Sequence, residues 1–375
     1  RPENIISSEA IERSSGLLIP LDETFTALPG ETMLPEQSGA QSNITSGQDS
    51  IRDLKCGTQD ALKVFKTKKI LKVRPTLSGP EQTIQTTHFI IHWTTQGNDA
   101  TDLTYATNVA NYAENSWTVE VTNMGWRSPP GDGTEGGGTD LYDIYIRDVD
   151  FMGVTHPENP VPATPQEDYT SYIEIDIGIN LDLLQVTVAH EFNHACQFSY
   201  SAFEAGWWYE NTATWMEDKV YDDVNDYRGY LSLNPSPLTR PELAITEISG
   251  LYEYGGAIWG MFLEENYNII APRQAWERMG ANLGEHTLAD LDWMLSNNYG
   301  SGLSTAMNAY GVWRYFTGTR ADIYHFSEGA SFPVATIILR SHDTYPATGS
   351  QGTSNPSGPG GTNYIEFTNG SDQLM

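Results

Sequence analysis

Three observations in a chain of 375 residues predict an α+β fold. The expected order is a mixed sheet over one helix, a mainly helical lobe, and the start of a C-terminal β-sandwich module. Between 87 and 179, short segments alternate apolar and polar residues or are rich in β-branched and aromatic types, as half-buried strands are. From 182 to 316, apolar residues recur at helical spacing. From 331 onward, short strand-like runs are broken by Gly, Pro and Ser, a composition that suits a sandwich.

Composition narrows the function before any motif is read. Ten Trp, 20 Tyr and 12 Phe supply enough apolar mass for a sizeable core. No run of apolar residues reaches the length of a membrane span, so membrane insertion is not expected. The 49 acidic residues outnumber the 20 basic ones, giving a formal net charge of −29. Such a surface repels phosphates and anionic lipid heads, which argues against nucleic acid or a membrane as partner. Strong acidity with few lysines suits a protein that stays soluble outside cells or in salty surroundings, with generic solubility as the plain reading. Two cysteines, Cys56 and Cys196, are too few for a disulfide scaffold.

Residues 1–75 read as an N-terminal arm or propeptide-like region. Positions 1–50 are polar and include the low-complexity run PEQSGAQSNITSGQDS, which suits an extended arm. Positions 52–74, RDLKCGTQDALKVFKTKKILKVR, carry eight of the 20 basic residues. A charge run of this kind is expected as a solvated face, with packing on an acidic body or a processing site as the other readings.

Residues 76–330 form the main expected domain. THFIIHWTT (87–95) reads as a strand, and 100–125 as a helix through Leu103, Ala106, Val109, Ala110, Ala113 and Trp117. The Gly- and Pro-rich 128–138 reads as a loop. LYDIYIRDV (141–149) and SYIEIDIGI (171–179) alternate as strands do. Helices are expected near 182–200, 207–222, 253–268, 271–281, 287–298 and 302–316. Residues 331–375 then begin the β-rich module.

The chemistry concentrates in VAHEFNHACQF (188–198). On a helix His190 and His194 lie one turn apart on the same face, so both imidazoles reach one metal ion. Glu191, beside the first of them, is placed to take a proton from a metal-activated water. A catalytic zinc needs a third protein ligand and one open position. WWYENTATWMEDKVY (207–221) offers Glu210 and Glu217. Seven helical residues apart, they are separated by about 10 Å along the axis, so one is the ligand and the other supports it or forms an ion pair.

HEFNH followed by WYENTATWMED resembles the gluzincin zinc peptidases, which include thermolysin and the aminopeptidases bearing a WLNEGFA helix. The resemblance implies a zincin-like catalytic domain, with Glu210 as the zinc-ligand glutamate and Glu217 as the second acid. The longer stretch from KCGT to WMEDKVYDDVNDY is similar to a group of secreted bacterial metallopeptidases with modular C-terminal β domains, over residues 55–265. A secreted, Zn2+-dependent hydrolase of peptides or proteins is therefore implied.

In that mechanism Glu191 is the general base, and a tyrosine in LYEYGGAIWGMFLEE (251–265) assists zinc in holding the oxyanion. Tyr252 and Tyr254 both qualify, because Gly255–Gly256 leaves the register open. Aromatic core or cap residues are the plain reading of the pair. No GAMEN-like segment precedes the zinc helix, which favours an endopeptidase over an aminopeptidase. SYIEIDIGI then reads as an edge strand able to pair with an extended substrate. Trp207, Trp208 and Tyr209 read as core, or as the lining of a side-chain pocket.

LKCGTQD resembles the cysteine switch of matrix metalloproteases, which implies intramolecular inhibition through Cys56. A Cys56–Cys196 disulfide and a free thiol are the competing readings. Asp218, Asp222, Asp223 and Asp226, and separately GDGTEGGGTD (131–140), have enough oxygens for Ca2+ but lack loop spacing such as an EF-hand's. A catalytically silent structural or adhesive protein built on a peptidase fold is the rival to the enzyme.

Overall fold

The computed structural model describes residues 55–68, 74–162, 164–336, 339–342 and 358–367. The polar arm expected over 1–50 lies outside them. Five strands form one mixed sheet: β1 (Gln82–Gln85), β2 (Phe89–Trp93), β3 (Tyr142–Arg147), β4 (Gly153–Pro160) and β5 (Tyr169–Asp176). Their order is β1-β2-β3-β5-β4. The inner strands β2, β3 and β5 run parallel, while β1 and β4 pair antiparallel at the two margins.

The segment expected as the edge is therefore interior. Tyr145 of β3 and Val154 of β4 both pair with Glu174 of β5, one from each side. The edge position belongs to β4, whose sequence GVTHPENP has no clean alternation and carries two prolines. Proline cannot donate to a ladder and is confined to sheet margins, so the feature that hid this strand also explains its place.

Helix α2 (Leu103–Trp117) follows β2 and is capped by Asp102, whose carboxylate accepts from the Tyr105 amide. It continues into a π-helical turn, Thr118–Asn123. Helix α3 (Leu181–Phe198) begins at Asn180, whose side chain accepts from the Leu183 amide, and is buried along most of its length. Phe192 fixes it to the sheet, with ring centroids 5.3 Å from Phe89, 5.7 Å from Trp117 and 6.4 Å from Tyr142.

The helical lobe comprises α4 (Gly206–Val220), α5 (Tyr227–Leu231), α6 (Tyr252–Gly255), α7 (Ala257–Asn266), α8 (Ala271–Gly280), α9 (Thr287–Tyr299) and α10 (Leu303–Tyr315). Helix α4 lies between α3 and α7. A Cβ at Gly260 would come within 2.8 Å of the Trp215 ring, so glycine permits the α4–α7 approach. Trp207, Trp208 and Tyr209 are core residues, with Trp208 and Tyr209 both packed on Trp276.

The described part of the basic N-terminal segment packs one face on the body and leaves Lys63 exposed on the other. Thr58–Lys68 forms helix α1, which packs against β4 and sends Leu62 and Phe65 into the core. Their spacing, with Thr58, puts three buried residues on one helical face. From 331 onward, two short strands, β6 (Leu339–His342) and β7 (Ile365–Phe367), pair parallel with each other. Residues 358–364 return to the helical lobe, where Arg314 donates to the Gly360 carbonyl at 2.8 Å and Thr362 Oγ1 at 2.9 Å. Positions 343–357 and 368–375 of the expected sandwich lie outside the described residues. No helix among the described residues is long and apolar enough to cross a membrane.

Removing the Phe192 ring should cost about 3–5 kcal/mol, the usual penalty for emptying a large aromatic site in a packed core. Phe192→Ala is therefore expected to lower the urea midpoint with the m-value unchanged. A midpoint equal to that of the wild type would mean that α3 is not held to the sheet by this contact.

Candidate metal centre

Helices α3 and α4 bring together His190, His194 and Glu210, and Cys56 joins them from the segment before α1. One ligand atom from each of the four lies within 4.8 Å of the other three. His190 Nε2 is 3.1 Å from His194 Nε2 and 3.1 Å from Glu210 Oε2. Cys56 Sγ is 3.5 Å from His194 Nε2. All four side chains are buried.

The far sides of both rings decide what these atoms can do. His190 Nδ1 faces Glu217 Oε1 at 2.7 Å, and a carboxylate can only accept. His194 Nδ1 faces Gln197 Oε1 at 2.7 Å. The Gln197 amide nitrogen meets Asn193 Oδ1, the Tyr209 carbonyl and Thr212 Oγ1, which assigns its oxygen to the histidine. Each Nδ1 therefore donates, and each Nε2 turns a lone pair towards the other and towards Glu210. Lone pairs 3.1 Å apart in a dry interior repel unless a cation or proton lies among them.

The protonation of the site reports the same demand. Burial alone would lower the His190 pKa, but hydrogen bonds and charge from Glu210 and Glu217 carry it up to about 10. Glu210 is held well below the ordinary carboxylate range against the effect of burial, by His194 and His190. Burial, reinforced by Glu191 and Glu210, pushes the Cys56 thiol up. A proton on His190 would meet that demand, and a divalent cation would fit the same place. Two imidazoles, a carboxylate and a thiol are a zinc donor set.

Glu191 lies beside this cluster but points at a different task. Its Oε2 accepts from Thr58 Oγ1 at 2.9 Å and Thr155 Oγ1 at 2.7 Å. Its Oε1 is buried and has no hydrogen-bond partner among the described residues. A Cβ at Gly153 would meet Glu191 Cγ at 2.6 Å, so the glycine that opens β4 lets the carboxylate sit against the sheet edge.

The two tyrosines part company. Tyr254 packs its ring 6.0 Å from that of His190 at 29°. Its hydroxyl is pushed well above its ordinary pKa by burial and by the charges of Glu210 and Cys56. Tyr252 instead directs its hydroxyl to the Leu243 carbonyl at 3.5 Å and lies near Arg314. Residues two apart on a helical turn face about 200° away from each other, so only one of the pair can line the site. Asn211, next to Glu210, donates to the Glu253 carbonyl at 2.7 Å and ties Tyr254's turn to α4. Gly256 is needed there, since a Cβ would fall 2.1 Å from the Asn211 amide.

Both cysteines are free, which corrects the disulfide expectation. Cys196 follows His194 by two positions on one helix and therefore faces away from it, while Cys56 approaches the histidine side. Sequence reasoning also missed the support behind His194. Glu120, in the π-helical turn, accepts from Asn193 at 2.9 Å, and Asn193 accepts from Gln197 at 2.8 Å. Gln197 at three residues past His194 was a visible signal, whereas Glu120 is distant in sequence. Lys55, 3% exposed, ion-pairs Glu217 at 3.2 Å and Asp226 at 3.0 Å.

Of the calcium candidates, Asp218 and Asp222 converge with Glu328. Lys219 pairs with Asp218 at 3.2 Å, and Arg228 pairs with Glu328 at 2.6 Å, so much of that charge is already neutralised. In the 131–140 loop, Asp132 is bound by Arg74, which also binds Asp143 and Glu158.

Glu217→Gln keeps a hydrogen-bond acceptor for His190 but removes the charge behind it. Zinc affinity is expected to fall about 10-fold to 100-fold, measured by competition with a chromogenic chelator. Undiminished affinity would show that Glu217 does not tune the ring. No protein-family model matches the chain, and neither does any curated protein sequence.

Proposed function

We propose that the chain is a secreted zinc metallopeptidase of zincin-like architecture, cleaving internal peptide bonds. The reading is carried by one juxtaposition: three converging donors, His190, His194 and Glu210, beside Glu191, a buried carboxylate with an oxygen left unpaired. Leaving a buried acceptor unmatched costs about 1–3 kcal/mol, an expense a purely structural metal site has no reason to bear. A general base, by contrast, needs a free lone pair aimed at its proton donor.

Zinc bound by these ligands would acidify a water molecule and polarise the substrate carbonyl. Glu191, whose Oε1 has no hydrogen-bond partner among the described residues, would take the proton of a water held there and pass it to the departing amine. Glu217 and Gln197 hold the two imidazoles in the tautomer that presents Nε2 to the metal. Tyr254, beside His190, is the donor best placed to hold a developing oxyanion. The edge strand β4 would offer the Gly153 carbonyl and the Thr155 amide to an extended peptide once residues 55–59 leave them, which suits an endopeptidase better than a site closed around a free amine.

A second reading has its own support. With Cys56 the donors number four, and four protein ligands close a structural zinc site. On that reading the chain is a catalytically silent scaffold.

The two readings separate in a full chain whose fourth position is freed by Cys56→Ala. One zinc ion per chain and hydrolysis of casein and of N-terminally blocked peptides are expected, both lost with EDTA. Glu191→Gln in that background should keep the zinc and lower kcat about 10²- to 10⁴-fold. Tyr254→Phe should lower kcat about 10²- to 10³-fold with KM little changed. A zinc-loaded Cys56→Ala chain without hydrolysis would favour the scaffold.

A further inference from the structure

We propose that residues 55–59 are a built-in inhibitor of this centre, with Cys56 Sγ as the fourth ligand of the cation held by His190, His194 and Glu210. The inference rests on the metallopeptidase reading and specifies how that site is kept silent.

The segment engages each working group of the site in turn. Cys56 belongs to the four-membered donor group, and its sulfur accepts from the Thr58 amide at 3.4 Å, a contact that suits a thiolate. Thr58 Oγ1 donates to Glu191 Oε2 and accepts from the Thr155 amide at 2.8 Å, so it is locked across the general base. Gln59 Nε2 donates to Glu210 Oε1 at 2.9 Å. Lys55 neutralises Glu217, the carboxylate behind His190. One short stretch thus contacts a histidine ligand, the carboxylate ligand, the base and the residue that orients the second histidine.

It also takes the place of substrate backbone. The Gly57 amide donates to the Gly153 carbonyl at 2.9 Å, and Cys56 bridges Gly153 at the free margin of β4. A peptide adding to that margin would need the same carbonyl. Glycine is required at 57, because a Cβ would come within 2.7 Å of the Phe151 ring. Helix α1 then anchors the segment through Leu62 and Phe65. With this strap seated, His190, Glu191, His194 and Glu210 are each no more than 1% exposed, and no carbonyl from outside can approach them. A closed structural site would need the sulfur alone. The additional covering of Glu191 and of the β4 carbonyl is what inhibition requires.

Metal binding to Cys56 replaces S–H by an S–metal bond and sends the proton to solvent, with no oxidant or reductant. Cobalt(II) substitution of the full chain reads this directly. The expected spectrum has visible ligand-field bands and a near-ultraviolet sulfur-to-cobalt charge-transfer band. Cys56→Ala and Cys56→Ser should keep the first and lose the second, and should gain casein hydrolysis that the wild type lacks. Gly57→Ala, which keeps the thiol but pushes the strap off Phe151, should weaken the charge-transfer band and release activity in the same direction. Cobalt bound to the wild type without the sulfur band would overturn ligation by Cys56. Wild-type hydrolysis as fast as that of Cys56→Ala would overturn inhibition and leave the peptidase reading standing. Absence of ligand-field bands in every chain, or of hydrolysis in the variants, would instead sink the metallopeptidase reading on which the inference rests.

Discussion

Two imidazole nitrogens with committed protons on their far sides face each other at 3.1 Å inside the protein. Much of the surrounding architecture can be understood from that one constraint. A carboxylate oxygen at 3.1 Å from one of them adds a third lone pair to the same small volume. Water cannot screen the repulsion there, since the ligands are buried. Electrostatic interactions at such depth are several-fold stronger than at the surface. The arrangement is stable only with positive charge at its centre, which a proton or a divalent cation would supply.

Holding the donors in this posture takes more residues than the donors themselves. Glu217 and Gln197 set the ring tautomers, and each is set in turn. Lys55 and Asp226 complete the charge around Glu217, while Asn193 and the buried Glu120 continue the chain behind Gln197. Burial pushes the Glu120 carboxyl well above its ordinary range, so a neutral acid suits that end of the chain. The π-helical turn that carries Glu120 is a local irregularity of the kind often found at functional sites. A polar network of this sort favours one arrangement of its members, because each lost partner strands a buried group.

The sheet contributes less obviously. Its edge strand begins at Gly153, where the missing side chain admits Glu191 on one side and leaves a carbonyl for the Gly57 amide on the other. The Glu191 carboxylate, the β4 backbone and the Cys56 segment therefore meet at one residue. Any peptide that entered would have to displace contacts made by the chain's own residues 55–59, and the cluster of aromatic and aliphatic contacts under α1 sets how firmly those residues stay.

Local periodicity determined a good deal by itself. The spacing of His190 and His194 puts both rings on one face of any helix that contains them, and the apolar rhythm around them makes that helix. The helices of the lobe and strands β3 and β5 were legible for the same reason, since their signals repeat every two or 3.6 residues, and β2 was legible from its β-branched and aromatic content. Glu210 was reachable because it sits on the next helix. Tertiary structure alone put Tyr254 rather than Tyr252 beside His190, made Gly153–Pro160 the edge strand, and separated Cys56 from Cys196. It also carried Cys56 across 138 residues to His194 and Lys55 across 162 residues to Glu217. Periodicity says which face of an element is buried but not what will be buried against it. Partners so far apart in sequence meet only when the whole core has closed.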